Sequence, residues 1–418
     1  MRTLDEWLSW QETLHPEEIE LGLERIRRVA TRLNILSPEP KVVTVAGTNG
    51  KGSSIAILES IALAAGLRVG VYTSPHLLRY NERIRVNGKI VTDDLLCDSF
   101  EVVDEARQQE SITYFEFGTL AALEIFRRQP LDLIVLEVGL GGRLDAVNII
   151  DADVALLTTV DLDHQSWLGE SREEIGREKA GIFRSGRAAV IGDFDIPLTV
   201  SDYARTVGVP LFKIGRDFCF VTDESGWSWR GSSDREIYHL PFPALYGEIQ
   251  VQNSAAVLEV IEQLGWMDKI GEEKIAEGLS QSALMGRFQT IQHAPEVIVD
   301  VSHNPQAART VAENLASTAT DGKTIAVVAM LKDKELKVVI EALSPEIDQW
   351  MVAGLDVARG ASSSEIEKVV VSTVGDSGVD SFETVQLAFE SAIGLADSGD
   401  RIIVFGSFYT VAAVLDLQ

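Results

Sequence analysis

The sequence predicts an α/β protein built as two domains. Three observations carry that expectation: a chain of 418 residues, β-branched runs that alternate with helically spaced apolar segments, and a glycine-rich turn between the first such run and the helix after it. This length suits two or three domains of about 100–200 residues each. Hydrophobic residues make up 45% and charged residues 24%, a globular balance that excludes a disordered chain.

The elements follow in order. Residues 5–34 read as helices with charged faces. Lys41-Val-Val-Thr-Val-Ala46 is a short β-branched run, read as a buried strand. Gly47-Thr-Asn-Gly-Lys-Gly-Ser53 follows at once, and Ile55–Ala65 has helical apolar spacing. Further strands are expected at Arg68–Thr73, Leu131–Val138, Val154–Val160 and Ala188–Gly192, with a helix at Gly118–Arg128 among those between them. Such alternation implies a parallel sheet covered on both faces. Residues 215–245 change character: Trp227, Trp229, Gly231, Ser232 and Ser233 suggest a small antiparallel addition. Helices around Asn253–Leu264 and Glu272–Ser280 come next, and Ser282–Pro295 reads as a domain join. A second strand–helix series occupies Val297–Val301, Thr324–Ala329, Trp350–Ala353 and Arg401–Phe405. The expected division is therefore a P-loop-type parallel-sheet domain over 1–286 and a smaller, Rossmann-like α/β domain over 287–418.

Charge and cysteine usage narrow the function classes. Lys plus Arg is 37 and Asp plus Glu is 64, for a net charge of −27. From Arg287 onward there are 9 basic and 19 acidic residues, leaving 28 and 45 before it, so both parts share the imbalance. This field disfavours a nucleic-acid backbone or an anionic membrane as partner. Cys97 and Cys219 are the two cysteines, too few for a disulfide framework or a zinc–cysteine site and in keeping with a reducing compartment. Met1–Trp10 carries Asp5 and Glu6 and lacks a basic-then-apolar signal pattern. No apolar run approaches the roughly 20 residues that cross a bilayer. The expectation is a cytoplasmic monomer.

A phosphate-binding loop needs backbone N–H groups converging on oxygen atoms. Glycines permit that path, and a following helix N-terminus adds a favourable dipole. Gly47, Gly50, Gly52, Lys51 and Ser53 supply the parts. The match to G-x-x-x-x-G-K-[ST] is imperfect, because Val45 holds the first glycine position and Gly52 follows the lysine. Taken alone, the run also fits a glycine turn with a solvated lysine.

Six motifs in order go further: Val45-Ala-Gly-Thr-Asn-Gly-Lys-Gly-Ser53, Tyr72-Thr-Ser-Pro-His-Leu77, Leu136-Glu-Val-Gly-Leu-Gly-Gly-Arg-Leu-Asp145, Leu162-Asp-His164, Gly176-Arg-Glu-Lys-Ala-Gly-Ile182 and Asp300-Val-Ser-His-Asn-Pro305. Together they resemble the folylpolyglutamate synthases, relatives of the Mur peptide ligases, from about Leu21 to the C-terminus. Glu20-Leu-Gly-Leu-Glu-Arg25 and Thr113-Tyr-Phe-Glu-Phe117 are similar to the bifunctional bacterial members that also act on dihydropteroate. The resemblance implies an N-terminal ATPase domain and ATP-dependent amide formation. A substrate carboxylate attacks the γ-phosphate, and the amine of L-glutamate displaces phosphate from the resulting acyl phosphate. The implied substrates are dihydropteroate, reduced folates and L-glutamate. Catalysis then consists of alignment and charge neutralisation, and no enzyme nucleophile is needed.

The resemblance also assigns residues. Gly47, Thr48, Asn49, Gly50, Lys51, Gly52 and Ser53 would hold ATP, with Asn253, Arg287 and Asp300 as further contacts. Ser74, Glu137 and His164 would surround Mg²⁺, expected as two ions. Lys179 would be carried as N6-carboxylysine, and with Lys51, Glu137 and His164 it makes up the expected catalytic set. Thr113, Tyr114, Phe115 and Glu116, with Leu144, Asp145 and Ala146, would contact the pteroate, and Ile19, Glu20 and Leu21 would close that site. His303 would neighbour the nucleotide or stand as a turn residue before Pro305, and Ser407 would contact glutamate. Plainer readings stand beside these: His164 as a locally bonded strand-end histidine, Glu137 paired with Arg143, Lys179 exposed beside Glu178, and Tyr114 and Phe115 as core. Lys332 and Lys334 read as solvated charges.

Overall fold

The computed structural model describes residues 2–17, 19–318, 320 and 322–417. The chain forms two compact units: residues up to Ala244 together with Gln250–Ala283, and Leu245–Ile249 together with the residues from Leu284 on.

The first unit is built on an eight-stranded sheet. Its strands are β1 (Lys41–Ala46), β2 (Val69–Tyr72), β3 (Ile84–Val86), β4 (Lys89–Ile90), β5 (Leu133–Glu137), β6 (Val154–Leu157), β7 (Ala188–Ile191) and β8 (Leu211–Lys213). Their order is β4-β3-β2-β5-β1-β6-β7-β8. From β2 to β8 the pairings are parallel, and β3 and β4 join antiparallel at one edge. Every residue of β5 and all of β1 but Lys41 are buried, as expected of inner parallel strands covered on both faces. Because β1 lies between β5 and β6, with Val45 opposite Glu137 and Ala46 opposite Leu157, the loops leaving the carboxyl ends of these three strands are neighbours. Ligand groups gather at such a place in open α/β sheets.

Helix Lys51–Ala64 carries the chain away from β1. It is held by helix Glu272–Gln281, where Gly278 comes so close that a Cβ would lie 2.4 Å from the Ile61 Cα. The small addition is an antiparallel meander of β9 (Cys219–Asp223), β10 (Gly226–Arg230) and β11 (Glu236–Leu240). Its buried Trp227 and Trp229 donate their indole N–H groups to Pro241 O (2.8 Å) and Ala255 O (3.1 Å).

The second unit contains a six-stranded sheet: β12 (Gln289–His293), β13 (Glu296–Val299), β14 (Thr324–Val328), β15 (Gln349–Ala353), β16 (Val379–Phe382) and β17 (Arg401–Phe405), in the order β12-β13-β17-β14-β15-β16. It is parallel apart from β12, which pairs antiparallel with β13. The segment expected as a domain join therefore contains a strand. Leu245–Ile249 belongs here as well, and Tyr246 stacks on Phe288 with ring centroids 5.0 Å apart. Among the described residues no helix is long and apolar enough to cross a membrane.

Candidate active site

The turn after β1 is shaped by close approach. At Gly47 (φ 155°) a Cβ would lie 1.8 Å from Thr158 Oγ1, so no side chain fits there. Gly50 begins helix Lys51–Ala64 in the left-handed region (φ 84°) without a side-chain cap. A Cβ on Gly50 would meet the Oδ1 of buried Asn253 at 2.9 Å, which places the predicted Asn253 against the loop. Ser53 is buried in the first turn.

Two lysines converge on the loop. Lys51 Nζ donates to Gly47 O (3.0 Å) and Thr48 O (3.2 Å), and Lys179 Nζ donates to the same Gly47 O (3.0 Å). Lys179 is 5% exposed, so the solvated-helix reading fails. Burial, reinforced by the neighbouring Lys51 charge, pulls its pKa down to about 7, while Asp163 and Asp145 act in the opposite sense.

Glu137 ends β5 buried, and its Oε2 accepts from Ser74 N at 3.0 Å. Arg143 pairs with Glu178 (3.0 Å). His164 has left-handed backbone and a side chain 39% exposed, its Nε2 3.9 Å from Asp163 Oδ2. Among the described residues, no three His, Cys, Asp or Glu side chains form a metal cage. The Ser74 hydroxyl and the Glu137 carboxylate are oxygen donors of the kind Mg²⁺ takes alongside water and phosphate, whereas an imidazole such as that of His164 is an unusual ligand for it.

The expected pteroate residues gather at the start of helix Tyr114–Arg127, which begins four residues before the sequence-based start at Gly118. A reciprocal cap explains the difference: Thr113 Oγ1 accepts from Glu116 N (3.3 Å) and Glu116 Oε2 accepts from Thr113 N (2.8 Å). Glu116 Oε2 also takes Arg25 Nε (2.7 Å), and Arg25 reaches Glu20 Oε1 at 2.5 Å. The Ile19-Glu20-Leu21 segment is thereby tied to the helix start. Phe115 stacks on Tyr72 (5.9 Å), and Tyr114 meets Tyr80 edge-on (5.7 Å). Both Tyr114 and Phe115 are half-buried and pack against the core, so each keeps part of its ring surface exposed. Leu144 is also half-buried, beside buried Asp145 and Ala146. Asp145 accepts from the amides of Gly139 (3.0 Å), Leu140 (2.8 Å) and Val147 (3.0 Å). Burial outweighs these bonds and pushes its pKa up to about 7.

In the second unit, Asp300 follows β13 and accepts from Phe288 N (2.8 Å) and Ser302 N (2.7 Å). Burial raises its pKa against the pull of Arg287. Arg287 lies over the Phe408 ring at 5.5 Å, and the His303 ring is 6.4 Å from the same phenyl group. His303 Nδ1 donates to Val301 O (2.9 Å). Ser407 caps helix Phe408–Leu415 by accepting from Thr410 N (3.0 Å). Lys332 is exposed.

Sequence reasoning overlooked Thr158, Thr159, Asp163 and Phe408. The two threonines carried one available signal: they directly follow β6, whose carboxyl end adjoins that of β1.

Residues 286–408 match the family model described as Mur ligase, glutamate ligase domain. The chain is 42% identical over 414 residues to the dihydrofolate synthase/folylpolyglutamate synthase of Escherichia coli (strain K12), covering 99% of this chain and 95% of that protein. Its structure is similar to that of E. coli FolC in complex with DHPP and ADP, with a TM-score of 0.94, 42% identity, and coverage of 100% of this chain and 97% of that one. It is also similar to a bifunctional folylpolyglutamate synthase/dihydrofolate synthase with Mn, AMPPNP and L-glutamate bound, with a TM-score of 0.92, 44% identity, and coverage of 100% and 98%.

Proposed function

Because the chain belongs to the dihydrofolate synthase/folylpolyglutamate synthase family of ATP-dependent carbon–nitrogen ligases, we propose that it joins L-glutamate to 7,8-dihydropteroate and then adds further glutamates to reduced folates. The observation that carries this reading is the Lys51 ammonium folded onto the carbonyls of a glycine loop whose helix start has no side-chain cap. An uncapped helix start with an adjacent cation is the arrangement that holds a triphosphate.

The pteroate carboxylate attacks the γ-phosphorus and ADP leaves. The glutamate amine then adds to the acyl phosphate, phosphate departs, and the amine proton passes to solvent. Helix-start amides and Lys51 take up charge on the phosphates. Ser74, Glu137 and His164 would hold Mg²⁺, with two ions as the working number. Bound Mg²⁺ supplies neutralisation of phosphate charge. Tyr114 and Phe115 offer flat surface to the pterin, while Thr113, Glu116 and Asp145 fix the edges of that surface. Ile19, Glu20, Leu21, Leu144 and Ala146 complete the pteroate site. Arg287, Asp300 and Asn253 serve the nucleotide, His303 neighbours it, and Ser407 serves the glutamate.

Lys179 is set up for modification. With its pKa near 7, a large fraction of the amine is neutral, so its lone pair can attack CO₂, lose a proton and give N6-carboxylysine. The protein works as a cytoplasmic monomer without nucleic-acid or membrane partners.

The test is ADP release with dihydropteroate and tetrahydrofolate offered separately, each with L-glutamate. ADP from both is expected. Release with tetrahydrofolate alone would reduce the protein to a folylpolyglutamate synthase, and release with neither would remove the ligase reading.

A further inference from the structure

We propose that Thr158 and Thr159 are positioning residues for the nucleotide: their hydroxyls fix the glycine loop so that the amides of Gly50, Gly52 and Ser53, and not those of Thr48 and Asn49, face the triphosphate. The proposal rests on the ATP-binding reading above.

Beyond Leu157 the chain continues alongside the loop. Thr158 N donates to Ala46 O (2.9 Å) and Thr48 N donates to Thr159 O (2.8 Å), extending the β1–β6 pairing past both strand ends. The Thr48 hydroxyl donates to Asp161 O and accepts from Asp161 N, each at 3.0 Å. Asn49 is gripped by side chains. Its N–H donates to Thr159 Oγ1 (3.0 Å), and its carbonyl accepts from Thr158 Oγ1 (2.6 Å) and Thr159 Oγ1 (3.2 Å). Both threonines are buried, and a β-branched residue has few χ1 choices, so these contacts define one loop path.

The donors divide accordingly. Thr48 and Asn49 N–H are committed within the protein. The first intrahelical donor is Ser54 N, which bonds to Gly50 O at 2.9 Å. The N–H groups of Gly50, Gly52 and Ser53 precede it and have no intrahelical acceptor. They form the ligand-facing set. Thr158 has a second effect: its Oγ1 occupies the space a Cβ of residue 47 would need, so this threonine and the glycine requirement at position 47 are coupled.

Two measurements test the proposal. In the unmodified protein, residue-resolved amide hydrogen exchange should show Thr48 and Asn49 protected without nucleotide. Gly52 and Ser53 should gain protection when a non-hydrolysable ATP analogue and Mg²⁺ are added. Protection at Thr48 and Asn49 that appears only with nucleotide would overturn the assignment. In steady-state assays, Thr159→Val keeps the shape and removes the hydroxyl. It should raise KM for ATP about tenfold, the equivalent of one lost hydrogen bond to a buried polar group. KM for dihydropteroate should stay within about twofold, and Thr159→Ser, which keeps the hydroxyl, should lie close to the parent. An unchanged ATP KM in Thr159→Val, or a serine variant as impaired as the valine one, would refute the proposal. ADP release by the unmodified protein is the separate control: its failure would remove the ligase reading, whereas normal release with unaffected valine variants would remove only the threonine assignment.

Discussion

The turns after β1 and β13 occupy equivalent places, each at the carboxyl end of a parallel strand and each leading into a helix, yet they are built from opposite materials. After β1 the path is made by backbone. Gly47 permits contact with Thr158, and Gly50 starts helix Lys51–Ala64 with no side-chain cap. After β13 the path is made by side chains. Asp300 collects the amides of Phe288 and Ser302, and Asn304 caps helix Pro305–Ser317 by accepting from Ala307 N at 3.0 Å. The first helix start has no side-chain cap and brings the Lys51 ammonium to the loop before it. The second spends side-chain acceptors on its own amides and buries a carboxylate. An uncapped helix N-terminus beside a cation can hold an anion on its amides, whereas a capped one has spent a side chain on them and must serve a ligand through other groups.

The contrast breaks if the β1 turn proves to be structural. Lys51→Ala should lower ATP-dependent turnover about a hundred- to a thousandfold, the scale for removing one group that stabilises developing charge, with little change in melting temperature. Near-normal turnover would return the turn to the status of a plain glycine bend.

The contrast sharpens if the β13 turn shows the reverse pattern. Asp300→Ala would leave two buried N–H groups without their acceptor, a loss of about 2–3 kcal/mol. Thermal unfolding should register it even without nucleotide. Asp300→Asn, which keeps one acceptor oxygen, should lie between the two. An Asp300→Ala protein that melts like its parent would mean that Asp300 serves only ligand.

The two turns were also unequally legible in the sequence. A backbone-built loop writes itself as glycines, so Gly47–Ser53 stood out, as did the apolar runs of inner strands such as β1, β5 and β14. The edge and short strands β3, β4, β8, β12 and β16 lacked continuous apolar runs, because an edge needs no uniform burial. Helix Tyr114–Arg127 starts ahead of the expected Gly118 because Thr113 and Glu116 stand at the spacing of a capping box, a signal carried by polar residues and not by apolar periodicity. Thr158 and Thr159 lie about 110 positions from the residues they hold, and no local pattern announces a side chain that acts across strands. Burial of Lys179 was equally hidden, since Arg177, Glu178 and Lys179 read as a solvated charged run.

That buried lysine allows the finest test, because the two turns should titrate with opposite sign. Lys179 falls from 10.5 to about 7 on folding. Between those values the unfolded chain binds a proton that the folded one does not, so stability should rise with pH by up to about 1.4 kcal/mol per unit. Asp300, raised above its usual 3.8 by burial, and Asp145, raised to about 7, hold protons in the folded state that the unfolded chain has released. Their contribution is present at low pH and is lost as pH rises toward their folded values. Chemical denaturation across pH 4–10 in CO₂-free buffer, where Lys179 is the unmodified amine, should therefore show an acid-side fall and an alkaline-side rise for these groups. Lys179→Met should flatten only the rise, and Asp300→Asn should weaken only the fall. If Lys179→Met left the alkaline limb intact, the lysine would be ionising as freely as one in water, and its place beside Lys51 on Gly47 O could not be the desolvated one that separates this turn from its counterpart.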